Sequence, residues 1–159
     1  MTKIQRALHV LSDANVEFVV IGGVAAILHG SGRMTFDLDI CFSRSSANLQ
    51  RLAAALAPFH PRPRGFPAGL PFLWDAATLS NGTVFTLDTD IGPIDLLAEV
   101  AGVGGYEDVL ASSATVEAFE RKVRLLDLRG LIRSKKAAGR PKDLADVAAL
   151  ESLLEATSE

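Results

Sequence analysis

Apolar residues first recur at helical spacing, with Ile4, Ala7, Leu8 and Leu11 on one face of residues 2–13, and Asp13-Ala14-Asn15 supplies a stop. The period then changes. Glu17-Phe18-Val19-Val20-Ile21 is short, β-branched and apolar, which predicts a buried strand, and Gly22-Gly23 turns the backbone into a short helix over residues 24–29. Gly30-Ser31-Gly32-Arg33 reads as a loop. Asp37-Leu38-Asp39-Ile40-Cys41-Phe42 alternates acidic and apolar residues with the period of a strand, so Asp37 and Asp39 share one face. Ser45-Ser46 caps a third helix running to about Leu56. Pro58, Pro61, Pro63 and Pro67 then predict an irregular loop up to about Pro71.

Beyond that loop the pattern predicts a short helix over residues 72–79, a turn at Asn81-Gly82, and two adjacent strands over 84–88 and 94–100. Ala101-Gly102-Val103-Gly104-Gly105 lacks the spacing of a dinucleotide-binding glycine motif and reads as a loose connection. A short helix near 106–110, strands over 116–119 and 123–126, and two helices on either side of Gly139-Arg140-Pro141 complete the chain, Pro141 fitting a first helical turn. Strands and helices without regular βαβ alternation predict an α+β fold, a small mixed sheet flanked by helices. One domain is expected over residues 1–159, with a sheet-bearing core over 1–126 and a helical element over 127–156.

Composition narrows the class. The 159 residues are 48% hydrophobic, and 16 Lys plus Arg against 19 Asp plus Glu leave a formal charge of −3. Mean hydropathy is high at +0.25, yet the longest apolar run ends at His29, short of the roughly 18 residues that a membrane span requires. The N-terminal stretch lacks the features of a secretory signal, so a cytoplasmic protein with no membrane partner is expected. A lone Cys41 and the scattered His9, His29 and His60 argue against zinc and thiol chemistry.

The chemistry lies in the acids. Asp37-x-Asp39 follows Gly22-Gly23 after a short helix and loop, and Asp95 is another isolated acid on an apolar strand. Carboxylates on rigid strands suit divalent ions that neutralise phosphate oxygens in phosphoryl or nucleotidyl transfer. Asp37 and Asp39 would bridge two ions, and Asp95 would complete one shell and act as base toward an acceptor hydroxyl. Gly22 and Gly23 would present backbone N–H groups to a phosphate, with Ser31 or Arg33 assisting. Singly, each feature also fits a plainer role: a solvated sheet face for Asp37 and Asp39, an edge strand facing water for Asp95.

The combination resembles the DNA polymerase β-like nucleotidyltransferase superfamily, whose signature is a strand ending in Gly-Gly or Gly-Ser, a D-x-D strand and a third acid. Residues 18–30, with Thr35-Phe36-Asp37-Leu38-Asp39-Ile40, are similar to its minimal bacterial members, particularly the AbiEii-type toxins of toxin–antitoxin pairs. Residues 87–97 are similar to the strand pair bearing the third acid, and residues 131–146 resemble the C-terminal helical element. The resemblance implies NMP transfer from an NTP, with Mg²⁺ or Mn²⁺, to a hydroxyl of an RNA such as tRNA, a protein or a small molecule, and an antitoxin partner. Gly23 departs from the serine of many members, leaving phosphate binding there to backbone amides.

Arg129, Arg133, Lys135, Lys136, Arg140 and Lys142 form a basic run in an acidic chain. Lys135 and Arg140 are the expected triphosphate contacts; local ion pairs of Lys142 with Asp143 and Asp146 are the plainer alternative. For Arg62, Arg64 and Phe66 in the proline-rich loop a mobile solvated loop is the favoured reading, and contact with an acceptor the alternative. A noncatalytic nucleotide- or partner-binding module is the rival reading.

Overall fold

The computed structural model describes residues 1–67 and 69–157. Thr2 and Gln5 form a reciprocal capping box that starts helix α1, Lys3–Asp13. Strand β1, Phe18–Ile21, is buried along its whole length and runs directly into α2, Gly22–Leu28. Strand β2, Leu38–Phe42, and helix α3, Ser46–Leu56, follow, with Ser45 accepting from Asn48 N as the helix cap. A single 3₁₀ turn, Ala57–Phe59, leads to β3, Arg62–Pro63, and then α4, Ala76–Ser80. Strands β4, Val84–Asp88, and β5, Ile94–Leu97, precede a small hairpin of β6, Glu99–Val100, and β7, Gly104–Gly105. Helix α5, Tyr106–Ala111, strands β8, Ser113–Ala118, and β9, Arg121–Leu126, and helices α6, Leu128–Ala138, and α7, Pro141–Thr157, complete the order.

A seven-stranded sheet runs β3-β4-β5-β2-β1-β9-β8. It is mixed: β2 pairs with β5, and β1 with β9, in parallel, while the other neighbours are antiparallel. The expected α+β class, a mixed sheet flanked by helices with two more at the C-terminus, is what forms. Leu8 and Leu11 of α1, Leu52 and Leu56 of α3, and Phe42, Ile40 and Leu96 of the sheet are fully buried in one core. The buried Asn48 side chain fastens two strand ends together: its amide donates to the carbonyls of Glu17 (3.1 Å) and Ser43 (2.8 Å), and its Oδ1 accepts from Glu17 N. All of its main bonding capacity is used, as burial of an amide demands.

Several boundaries differ from expectation. The proline-rich stretch is not wholly irregular, because Arg62 and Pro63 pair with Asp88 and Leu87 as the outermost strand, an edge where proline's missing N–H costs no ladder bond. The strand expected over 94–100 divides at Ala98, and its second part turns back on Gly104 and Gly105. The glycines of 101–105 therefore make a tight hairpin rather than a loose connection; Gly102 and Gly104 both have positive φ. The short helix before the Asn81-Gly82 turn starts at Ala76 under an Asp75 cap, later than residue 72. Strands β8 and β9 begin earlier than their apolar runs, at Ser113 and Arg121, because ladder pairing extends through polar positions. Among the described residues, no helix is long and apolar enough to cross a membrane.

Candidate active site

Strands β2 and β5 lie side by side with Leu38, Asp39 and Ile40 opposite Ile94, Asp95 and Leu96. All four of the flanking apolar side chains are fully buried. Alternation along the two strands therefore sends Asp39 and Asp95 together to the other face, on backbones about 4.8 Å apart. Asp95 lies on an interior strand between β4 and β2, not on an edge. Asp37 sits just before β2, two positions from Asp39, and is half-buried.

The turn from β1 into α2 closes over this pair. Gly22 is at φ +64, and a Cβ there would collide with Asp39 Oδ2. Both conformation and space thus require glycine, and the backbone comes against the carboxylate. No side chain caps the N-terminus of α2. Beside Gly23 stands Thr35, whose hydroxyl would lie 3.2 Å from a Cβ added at Gly23.

Asp39 is electrostatically exceptional. Burial first, then the charge of Asp95 and a hydrogen bond to it, and then Asp37 push its carboxyl up to about 7, with Lys135 opposing. Its Oδ1 is buried and has no hydrogen-bond partner. Asp95 is differently served: Arg64 Nη2 donates to its Oδ1 at 2.9 Å.

A cavity of about 680 Å³ opens on the α2 side of Gly22, walled by α2, the 30–35 loop, α6 and α7; Asp37, Asp39 and Asp95 are not in its lining, and Gly22 links it to the Asp39 carboxylate. Gly22, Gly23, Ser31, Arg33 and Lys135 line it, and so do Thr35, Lys142 and Asp146. Its inner wall is aliphatic, from Ile27, Leu131, Leu150 and Leu153 among others. Arg33 and Lys135 both ion-pair with Asp146, and Lys135 also reaches Asp143 at 3.5 Å. Arg140 is not part of the lining: it folds back along α7, and its Nε donates to the buried Asp143 at 2.6 Å. That pair holds the Asp143 carboxyl down at about 2. Lys142 is not the partner of Asp143 or Asp146; Arg140, Lys135 and Arg33 are.

The structure thus brings Asp39, Asp95, Gly22 and Gly23 together, with Asp37 at the strand mouth, and places Ser31, Arg33 and Lys135 in the adjoining cavity. Sequence reasoning gave Thr35 no role, paired Asp146 with Lys142 rather than with Arg33 and Lys135, and left Arg64 to a solvated loop or an acceptor rather than to Asp95. The last contact spans 31 residues and has no local signal.

No family model matches the chain, and no curated protein matches it. Solved structures do. A candidate nucleotidyltransferase from Thermotoga maritima superimposes with a TM-score of 0.54 at 16% identity, covering 96% of this chain and 89% of that one. An antigenic nucleotidyltransferase-like protein from Paracoccidioides brasiliensis gives 0.52 at 17% identity, covering 96% of this chain and 76% of its own. Identity this low speaks to architecture: the chain is built on the fold of nucleotidyltransferase-like proteins.

Proposed function

We propose that the chain is a metal-dependent nucleotidyltransferase, moving an NMP from an NTP to an acceptor hydroxyl. The observation that carries this reading is the register-matched pair Asp39 and Asp95, with a buried, unpartnered oxygen on Asp39 and with Gly22, which lies against the Asp39 carboxylate, lining a cavity of nucleotide size. The donor set is oxygen only, which suits Mg²⁺ or Mn²⁺ rather than zinc. Among the described residues no three His, Cys, Asp or Glu side chains already form a metal-holding group. A carboxylate pair nevertheless fits, because Mg²⁺ is commonly held by one or two carboxylates with substrate phosphates completing the shell. Asp39 and Asp95 are the ligands in this reading, and Asp37 joins from the strand mouth toward a second ion. Bound divalent ions supply charge neutralisation at the phosphates and activation of the attacking oxygen.

The chain's own residues do the rest. Gly22 and Gly23 offer backbone N–H groups, and Thr35 a hydroxyl, to the pyrophosphate portion. Lys135 and Arg33 face the triphosphate from the cavity wall, and the aliphatic side takes the base. Asp95 accepts the proton of the acceptor hydroxyl as its oxygen bonds to the α-phosphorus and pyrophosphate departs. The resemblance of residues 18–40 to AbiEii-type toxins supports a toxin role against RNA, protein or small-molecule acceptors, with an antitoxin recovered alongside the chain as its test. Incubation with α-labelled NTPs, Mg²⁺ and cellular RNA or protein should give acceptor labelling that Asp39→Asn abolishes. Equal labelling by the folded variant would refute the assignment.

A further inference from the structure

The segment after β3 places a cation against Asp95, the member of the carboxylate pair nearer β4. Arg64 N donates to Thr86 O at 2.9 Å, so the pairing of β3 with β4 continues one residue past the strand. Thr86 is the register partner of Asp95, and Asp95 of Asp39. The pair is therefore approached from two sides, Asp39 by Gly22 at the end of β1 and Asp95 by Arg64 from the β4 side. The Arg64 guanidinium is held at three points: Nε donates to Asp88 Oδ1 at 3.3 Å, and Nη2 to Leu87 O at 3.0 Å and Asp95 Oδ1 at 2.9 Å. Two of these partners belong to β4. They would keep the side chain in place if Asp95 were released.

We infer that Arg64 is a placeholder cation that makes divalent-ion binding at Asp39 and Asp95 conditional on nucleotide. This rests on the reading of those acids as metal ligands. An ion entering alone would share Asp95 with a guanidinium in a partly buried place, where like charges are poorly screened. The opposing gain, a single carboxylate torsion fixed by the Arg64 bond, is small for so short a side chain. Repulsion wins, and the empty site prefers arginine. A triphosphate in the cavity reverses the balance by adding negative oxygens beside the pair and completing the ion's shell. Arg64 then cedes Asp95 while Asp88 and Leu87 O retain it. Arg64 is a positioning residue, acting through Asp95.

The test is Mn²⁺ binding to the full chain, read by electron paramagnetic resonance of the free ion. Wild type, Arg64→Gln, Arg64→Met and Arg64→Lys are compared without nucleotide and with a mixture of the four non-hydrolysable NTP analogues. Both neutral variants should bind Mn²⁺ alone about tenfold more tightly than wild type, and Arg64→Lys close to wild type, with the gap shrinking when nucleotide is present. Melting curves establish that each variant is folded, and the two neutral replacements guard against failure of either. Neutral variants that bind Mn²⁺ no better than wild type would overturn the proposal, as would a gain that survives adding Asp39→Asn. If the gain appears but no protein transfers NMP, the transferase reading fails alone. If transfer occurs while the affinities match, this inference fails alone.

Discussion

Two acids taken out of water behave in opposite ways, and the contrast separates site from scaffold. Asp143, fully buried at the α6–α7 junction, is met by Arg140 and Lys135, and its carboxyl is held down at about 2, chiefly by the Arg140 hydrogen bond. Asp39 sits among Asp95 and Asp37 with one oxygen orphaned, and its carboxyl rises to about 7. A buried charge is tolerated when paired and costly when not. Asp143 answers its own cost inside the fold. Asp39 leaves its cost unanswered, as a group awaiting a cation does.

Breaking the unpaired member should have the largest effect. Asp39→Asn is expected to lower NMP transfer by about 10³-fold or more, in the range seen when a group stabilising transition-state charge is removed. The same change should stabilise the metal-free protein. A carboxyl raised in the folded state holds its proton there while the unfolded chain releases it near 3.8, so wild-type stability falls as pH rises from about 3.8 to about 7. Asparagine lacks that penalty, so its advantage over wild type should grow from pH 5 to pH 8, and chemical denaturation of both proteins at the two pH values checks the sign.

The paired member should respond the other way. Asp143→Asn is expected to lower the melting temperature and leave transfer within a few-fold of wild type, since Asp143 fastens α6 to α7 and lies outside the cavity lining. Its own stabilisation is present above about 3.8 and lost as pH falls toward 2, so the acid limb of unfolding should shift in that variant. A smaller effect should divide the two cations. Lys135→Ala, in the cavity, should weaken NTP binding about tenfold, whereas Arg140→Ala should leave it unchanged and cost only stability. Isothermal titration with Mg²⁺ present reads both.

Much of this site is legible along the chain because its parts are local. The strand-Gly-Gly-helix turn, the two-residue spacing of Asp37 and Asp39, and an acid at 95 between apolar neighbours need only short-range periodicity. The pairing of Asp39 with Asp95 follows once β2 and β5 are adjacent. The rest depends on what the chain brings from afar. The basic run 129–142 reads alike whether its cations face a cavity or fold back onto α7; packing of α6 on α7 sends Lys135 to one and Arg140 to the other. Strand β3 is two residues long and exists because β4 offers an edge, which no propensity at Arg62 and Pro63 reveals. Arg64 reaches Asp95 only through that pairing.

The most direct test of the central claim is a crossed melting experiment on wild type and Asp39→Asn at pH 8, without ligand and with Mg²⁺ plus each NTP. The variant should melt higher when ligand-free. Mg²⁺ with the preferred NTP should then raise wild type alone, by about 2.7 kcal/mol at a hundredfold excess over Kd. Equal shifts in both proteins, or none in wild type at millimolar NTP, would contradict the assignment of Asp39 as the acid that completes itself with a metal and a nucleotide.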